Sequence, residues 1–224
     1  MNVAENLAAI EQQISQSCKA VDRNPQDVKV IAVTKYVSIA TAEEAYHAGV
    51  THLGENREEG LNEKWSYFGE KFTWHFIGSL QTKKVKKIID KVDYIHSLDR
   101  LSLAEEIQKR ASQKIKCFVQ LNVSGEESKH GIHPDELQSF IQNLEAYPLI
   151  EIVGLMTMAP FTEDRDLIRA CFHKLKVLQQ EVQALQLAYA PCQELSMGMS
   201  NDYDIAVEEG ATFIRIGTSL VGNK

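Results

Sequence analysis

Residues 194–222 read ELSMGMSNDYDIAVEEGATFIRIGTSLVG, and their order decides the fold. Two short runs, Glu194 to Gly198 and Phe213 to Gly217, bracket a helix-like stretch that stops at Gly210. Strand, crossover helix, strand is the pattern of neighbouring parallel strands. The alternation extends back through six earlier runs: Val28 to Thr34, His52 to Glu55, Trp74 to Gly78, Tyr94 to Leu98, Cys117 to Val123 and Ile150 to Met158. Segments of helical period lie between them, among them TAEEAYHAG at 41–49, LSLAEEIQKRAS at 101–112, HPDELQSFIQNL at 133–144 and DLIRACFHKLKVLQQEVQALQ at 166–186. Eight such strands predict an α/β fold, a single (β/α)8 TIM-like barrel spanning residues 1–224. Few residues follow the last run, so no eighth helix is expected after it. Instead Asn2 to Cys18, with Leu7, Ile10 and Ile14 on one face, predicts an additional N-terminal helix that covers the gap.

Local signals mark several boundaries. Thr41 is placed to cap its helix, with Glu44 three residues on, and Gly49 to stop it. His133-Pro134-Asp135-Glu136 puts proline and two acids in a first turn, where the missing N–H and the helix dipole favour them. Lys83, Lys84, Lys86, Lys87 and Lys91 fan out around an apolar stripe of Val85, Ile88 and Ile89, which reads as a surface helix, either a solvated face or a binding patch.

Composition removes whole classes of function. No stretch approaches the roughly 20 apolar residues that cross a bilayer, and the start MNVAENLAAIEQQISQ lacks the basic end and apolar run of a signal peptide. Cys18, Cys117, Cys171 and Cys192 form no Cys-x-x-Cys pair and read as reduced thiols of a cytoplasmic protein. A net charge of −7 disfavours nucleic acid as a partner. His130 and His133 flank a turn and lack a third ligand, so no metal site is expected. Gly217 to Gly222 only superficially suggests a phosphate loop, since Asn223 stands where the lysine belongs.

In a barrel the chemistry sits at the C-terminal ends of the strands. The polar residues there are Lys35, Asn56, Ser79, Ser97, Asn122, Ser196, Ser200, Arg215 and Thr218. Lys35 follows the apolar run VKVIAVT; burial there would disfavour its charge, and a neutral amine attacks aldehydes. The alternative is a lysine that snorkels out at a strand end. Gly198-Met199-Ser200 and Gly217-Thr218-Ser219 are either ordinary glycine turns or helix starts whose N–H groups, with the Ser200 and Thr218 hydroxyls, hold a phosphate. Arg215 shares side-chain parity with Phe213 and Gly217 inside an apolar strand, so it serves either a structural ion pair or a ligand ring nitrogen. Trp74 and Tyr203 are core residues or ring-stacking ones.

These residues fall within longer motifs: AVTK ending at Lys35, HLGENR around Asn56, WHFIGSLQTKK, HSLD, QLNVS with Lys129-His130-Gly131, VGLMTMAP, and SMGMSND followed by FIRIGT. Together they resemble the pyridoxal phosphate homeostasis protein family over nearly the whole chain. The resemblance implies a barrel like the N-terminal domain of alanine racemase, with pyridoxal 5′-phosphate (PLP) as cofactor. It makes Lys35 the Schiff-base lysine, Ser200, Gly217 and Thr218 the phosphate ligands, and Arg215 the partner of the pyridine nitrogen. Asn56, His75, Ser196 and Met199 become further neighbours of the cofactor. Many members carry proline a few residues past the lysine, where this chain reads Lys35-Tyr36-Val37-Ser38-Ile39.

The role so implied is storage and delivery of PLP, with indirect effects on amino-acid and keto-acid balance, rather than catalysis. Expected partners are PLP and apo forms of PLP-dependent enzymes, with no nucleic acid and no membrane, and the chain is expected to be a monomer. The alternative is a PLP-dependent amino-acid racemase. Such an enzyme needs a base on each face of the cofactor, and the resemblance puts Met158 where alanine racemase carries a strand 6 histidine.

Overall fold

The computed structural model describes residues 2–126 and 130–222; Met1, Lys129 and Asn223 lie outside the described residues. Eight strands follow one another around a closed parallel barrel: β1 (Lys29–Val33), β2 (His52–Glu55), β3 (Thr73–Phe76), β4 (Tyr94–Leu98), β5 (Ile115–Gln120), β6 (Ile150–Met156), β7 (Glu194–Ser196) and β8 (Phe213–Ile216). Closure is made by β1 lying parallel to β8, with Lys29 opposite Phe213 and Ala32 opposite Ile216. All eight expected strands are present; most end a residue or two before the expected run does, β3 begins one residue earlier, and β5 begins two residues earlier and ends three earlier than Cys117 to Val123.

Two layers of packing explain why the strands read as continuous apolar runs. Inside the barrel, Ile31, Phe118, Val153, Met156 and Phe213 form one cluster. The opposite strand faces pack in a larger one against the helices α2 (Ile39–His47), α3 (Glu58–Phe68), α4 (Leu101–Arg110), α5 (Leu137–Asn143), α6 (Arg165–Ala184) and α7 (Tyr203–Glu208). Trp74 belongs to that core, its indole N–H donating to the Gly69 carbonyl at 2.8 Å. All four cysteines are buried. No helix among the described residues is long and apolar enough to cross a membrane.

The N-terminal helix α1 (Val3–Ala20) is capped by the Asn2 side chain and buries Leu7, Ile10 and Ile14, as the pattern predicts. It packs on α7, on α2 and on a one-turn helix, α8 (Thr218–Val221), that does follow β8. The expectation of no helix there fails because Gly217 turns the chain sharply enough for its carbonyl to accept from the amides of Leu220 and Val221.

Two local expectations also change. Ser38, not Thr41, caps α2: its hydroxyl accepts from the Thr41 amide at 3.2 Å, so the helix begins three residues earlier. The lysine-rich segment is a 3-10 turn over Thr82–Lys87 rather than a surface helix. Residues three apart eclipse in that geometry, so Lys84 and Lys87 both reach the buried Glu58 of α3, at 2.6 and 3.4 Å. Burial alone would raise the Glu58 carboxyl, but Lys84 and Lys87 hold it down at about 2. Lys91 turns back to Asn62. These lysines tie the turn to α3.

Candidate functional site

β1 stops at Val33, and a turn closed by the Val37 amide donating to the Thr34 carbonyl carries Lys35 and Tyr36 over the barrel rim. Lys35 is therefore exposed, its ammonium 5.0 Å from the centroid of the Tyr36 ring. The burial expected of it is not found, because the turn lifts the side chain past the apolar wall. Beneath it, the Thr34 hydroxyl donates to Glu55 Oε1 at 2.6 Å, and Lys64 of α3 pairs with the same oxygen at 2.9 Å. That buried group pins the ends of β1 and β2 to α3.

The neighbouring strand ends crowd together. A Cβ on Gly78 would stand 2.3 Å from the Asn56 carbonyl oxygen, so only glycine lets the β3 exit pass Asn56. At β7 the exit is Gly198, with φ +93 and its would-be Cβ 2.6 Å from Ala206 Cβ. The left-handed residue feeds a turn in which Asp202 accepts from the Met199 amide at 2.6 Å. Burial raises the Asp202 carboxyl, while that amide and Arg215 pull it back.

These exits surround a cavity of about 470 Å³ at the C-terminal face, and Lys35, Asn56, Met199, Ser200, Arg215, Gly217 and Thr218 all line it. Its volume suits a small cofactor. Four of the candidate residues do not line it. His75 and Ser196 are fully buried inside the barrel, because strand parity points them at its axis below the cavity floor. Ser97 is buried within β4, and Asn122 folds onto its own loop. Ser79 does line the cavity, as do residues that sequence reasoning missed: Gln120, Asp202 and Phe161, the last almost wholly exposed on the β6 exit loop. The Ser-Asn-Asp turn signature after Gly198 is the one clue that could have found Asp202.

Arg215 forms the cavity floor. It donates to Ser196 Oγ at 2.5 Å and to the Thr157 carbonyl at 3.0 Å, both neutral acceptors, so among the described residues it is held by hydrogen bonds rather than by the ion pair that sequence left open. Burial lowers it to about 10, with Asp202 acting to keep its charge. A buried cation with unspent donors facing a cavity suits an electron-rich ligand atom.

Below it the barrel axis holds three histidines. His52 Nδ1 lies 2.9 Å from His75 Nε2, His75 Nδ1 2.9 Å from His96 Nε2, and His96 Nδ1 2.8 Å from Ser196 Oγ. Burial drives His75 and His96 well below the usual imidazole range, and burial, then Lys29, lowers His52 to about 4. Since these groups take protons more readily when unfolded, their contribution to stability is complete above the ordinary imidazole value of 6.5 and is lost as pH falls toward 4. Urea unfolding measured across that window is expected to show stability falling with pH, with proton uptake on unfolding. A flat profile would mean that the three imidazoles are not neutral in the fold.

Residues 6–224 match the family described as alanine racemase, N-terminal domain. A pyridoxal phosphate homeostasis protein of Aquifex aeolicus is 39% identical over 228 residues, covering 100% of this chain and 99% of that protein. The chain belongs to the pyridoxal phosphate homeostasis protein family. The family's Haemophilus influenzae member is 35% identical, with 99% of this chain and 96% of that protein covered. A structure of PipY from Synechococcus elongatus with PLP bound aligns at TM-score 0.85 and 34% identity, over 98% of this chain and 100% of that one. The alanine racemase of Corynebacterium glutamicum aligns at TM-score 0.72 with 14% identity, over 98% of this chain and 60% of that one, which establishes a shared barrel alone. Homeostasis-family membership thus agrees with the motifs that run from AVTK to FIRIGT.

Proposed function

We propose that this chain binds PLP at the C-terminal face, carries it as a Schiff base on Lys35, and stores it and passes it on. The observation behind this reading is that one cavity gathers an amine at a strand end, two helix-opening turns and a buried guanidinium. PLP bound there supplies an aldehyde and an electron-withdrawing ring. Toward it, Lys35 offers the amine. Ser200, Gly217 and Thr218 offer hydroxyls and backbone N–H groups to the phosphate. Arg215 donates to the ring nitrogen, flanked by Asn56 and Met199. PLP-bound PipY and the names of the curated relatives support the choice of cofactor.

Two features favour holding PLP over turning over amino acids. Arg215 stays charged, so it keeps a proton off the ring nitrogen and weakens the ring as an electron sink. The rim is open: Lys35 is exposed, Tyr36 is 62% exposed and Phe161 97%. An amine from solvent therefore has a path to displace Lys35.

Mixing the PLP-loaded protein with an apo PLP-dependent enzyme, in the presence of a scavenger of free PLP, is expected to restore that enzyme's activity. Protein first reduced with borohydride should restore none. If the scavenger abolishes activation at every concentration, the chain releases PLP to solution and handover is wrong. The phosphate assignment has its own test. Losing one hydrogen bond to a charged group costs about 1.5 to 3 kcal/mol, so Ser200→Ala and Thr218→Ala should each weaken PLP binding roughly tenfold or more. Pyridoxal, which lacks the phosphate, should be insensitive. Equal weakening of both ligands would move the phosphate elsewhere.

A further inference from the structure

The row of histidines has no part in the reading above, yet it spans the barrel. His52 lines a second cavity, of about 440 Å³, at the N-terminal face under α1, and Arg215 lines the first at the C-terminal face. Between them His75 lies flat on Tyr94, with centroids 4.6 Å apart, and His96 on Phe118, 4.3 Å apart. Phe213 stands against His52, His75 and His96 from β8. Among the described residues these aromatic walls add no hydrogen-bond partner to the rings.

We propose that His52, His75, His96 and Ser196 are positioning residues of Arg215, a hydrogen-bonded row that holds one proton arrangement polarised away from the guanidinium. The direction follows from donor counting. A guanidinium only donates, so Ser196 Oγ accepts from Arg215. Among the described residues the other partner of that hydroxyl is His96 Nδ1. Ser196 is fully buried, and a buried hydroxyl proton without an acceptor is costly. The proton therefore goes to His96 Nδ1, which must be bare, and His96 carries its own proton on Nε2. That proton points at His75 Nδ1, which must also be bare, and His75 Nε2–H in turn meets His52 Nδ1.

All three imidazoles are thus neutral Nε2–H tautomers, each bond reinforcing the next. Protonating His52 or His75 would set two N–H groups against each other, and protonating His96 would set its Nδ1–H against the Ser196 O–H. The charged and titratable groups around the row act in the same sense or lie at its open end. Arg215 and Lys29 oppose protonation, Tyr94 stacks on His75, and Glu194, which favours protonation of His52 at the open end, is engaged by Lys29 at 3.3 Å. For Arg215 the consequence is that Ser196 is locked as an acceptor. The guanidinium fork is fixed on Ser196 and Thr157, at the lining of the cavity.

The test uses nitrogen-15 NMR of the histidines in the ligand-free protein at neutral pH. His52, His75 and His96 are each expected to show an acceptor Nδ1 and a protonated Nε2. An Nδ1–H tautomer, a mixture or a charged ring at any of them overturns the proposal, and this arm needs no variant to fold. In Ser196→Ala the donor to His96 is gone, so the tautomer signals of His52, two rings away, should shift; unchanged His52 signals in a folded variant mean that the row only fills space.

The final arm rests on the PLP reading. In PLP-loaded protein, Ser196→Ala should shift the visible absorption band and its pH dependence, while Ser196→Thr, which keeps the hydroxyl, should restore the parent spectrum. An unchanged band in Ser196→Ala overturns the coupling to Arg215. Failure of the parent protein to bind PLP would defeat the proposed function and leave the tautomer result standing.

Discussion

Lys35→Ala protein exposed to PLP and reduced with borohydride is expected to retain no covalently bound cofactor, against one per chain in the parent, and to lack the visible Schiff-base band. Lys35 is the one lysine among the described residues lining the C-terminal cavity, so its removal leaves no second amine there. The loss is chemical rather than structural. Lys35 is exposed on a turn, and a surface substitution of that kind changes stability by no more than about 0.5 kcal/mol. Circular dichroism and the urea midpoint should match the parent. Ser200, Thr218 and Arg215 remain, so the variant should still take up PLP reversibly and more weakly. Full reduction of PLP onto the variant would assign the carrier to another lysine, which peptide mapping would name.

What the sequence made legible follows from how strongly each signal depends on its own neighbours. Strands such as Tyr94–Leu98 and His52–Glu55 are visible because both faces are buried, and an apolar run with turn residues at its ends needs no tertiary information. Lys35, the two glycine turns and Arg215 could be singled out because a charge or a glycine interrupts such a run at its C-terminal end. The histidine row could not be read in the same way. His52, His75 and His96 each share parity with inward residues of three successive strands, but period two says nothing about which face is the barrel axis or about the register that brings rings on different strands to 2.9 Å. The lysine segment failed for the opposite reason: its own pattern favours a helix, and Glu58, a partner on another element, draws it into a tighter turn.

Lys64 is the extreme case, a lysine in a polar helix that is only 4% exposed, and it carries the largest expected effect on stability. Its ammonium meets Glu55 at 2.9 Å, and Glu55 is itself 1% exposed. Gly60 allows the approach, since a Cβ there would come within 2.8 Å of Glu55 Oε2. Removing one member of a buried pair leaves the other charge without compensation, which costs about 3 to 5 kcal/mol. Glu55→Gln should therefore lower the unfolding free energy by about that amount in urea titrations. A Glu55→Gln, Lys64→Met double variant should recover much of the loss, because no charge is left buried. The same pair anchors Thr34, whose neighbour is Lys35, and the end of β2, whose next residue is Asn56. In conditions where Glu55→Gln stays folded, it should also slow PLP uptake, while the double variant, still lacking the carboxylate that holds Thr34, should remain slow although its stability returns. A single variant costing less than about 1 kcal/mol would show that water reaches the pair and that it does not hold the rim together.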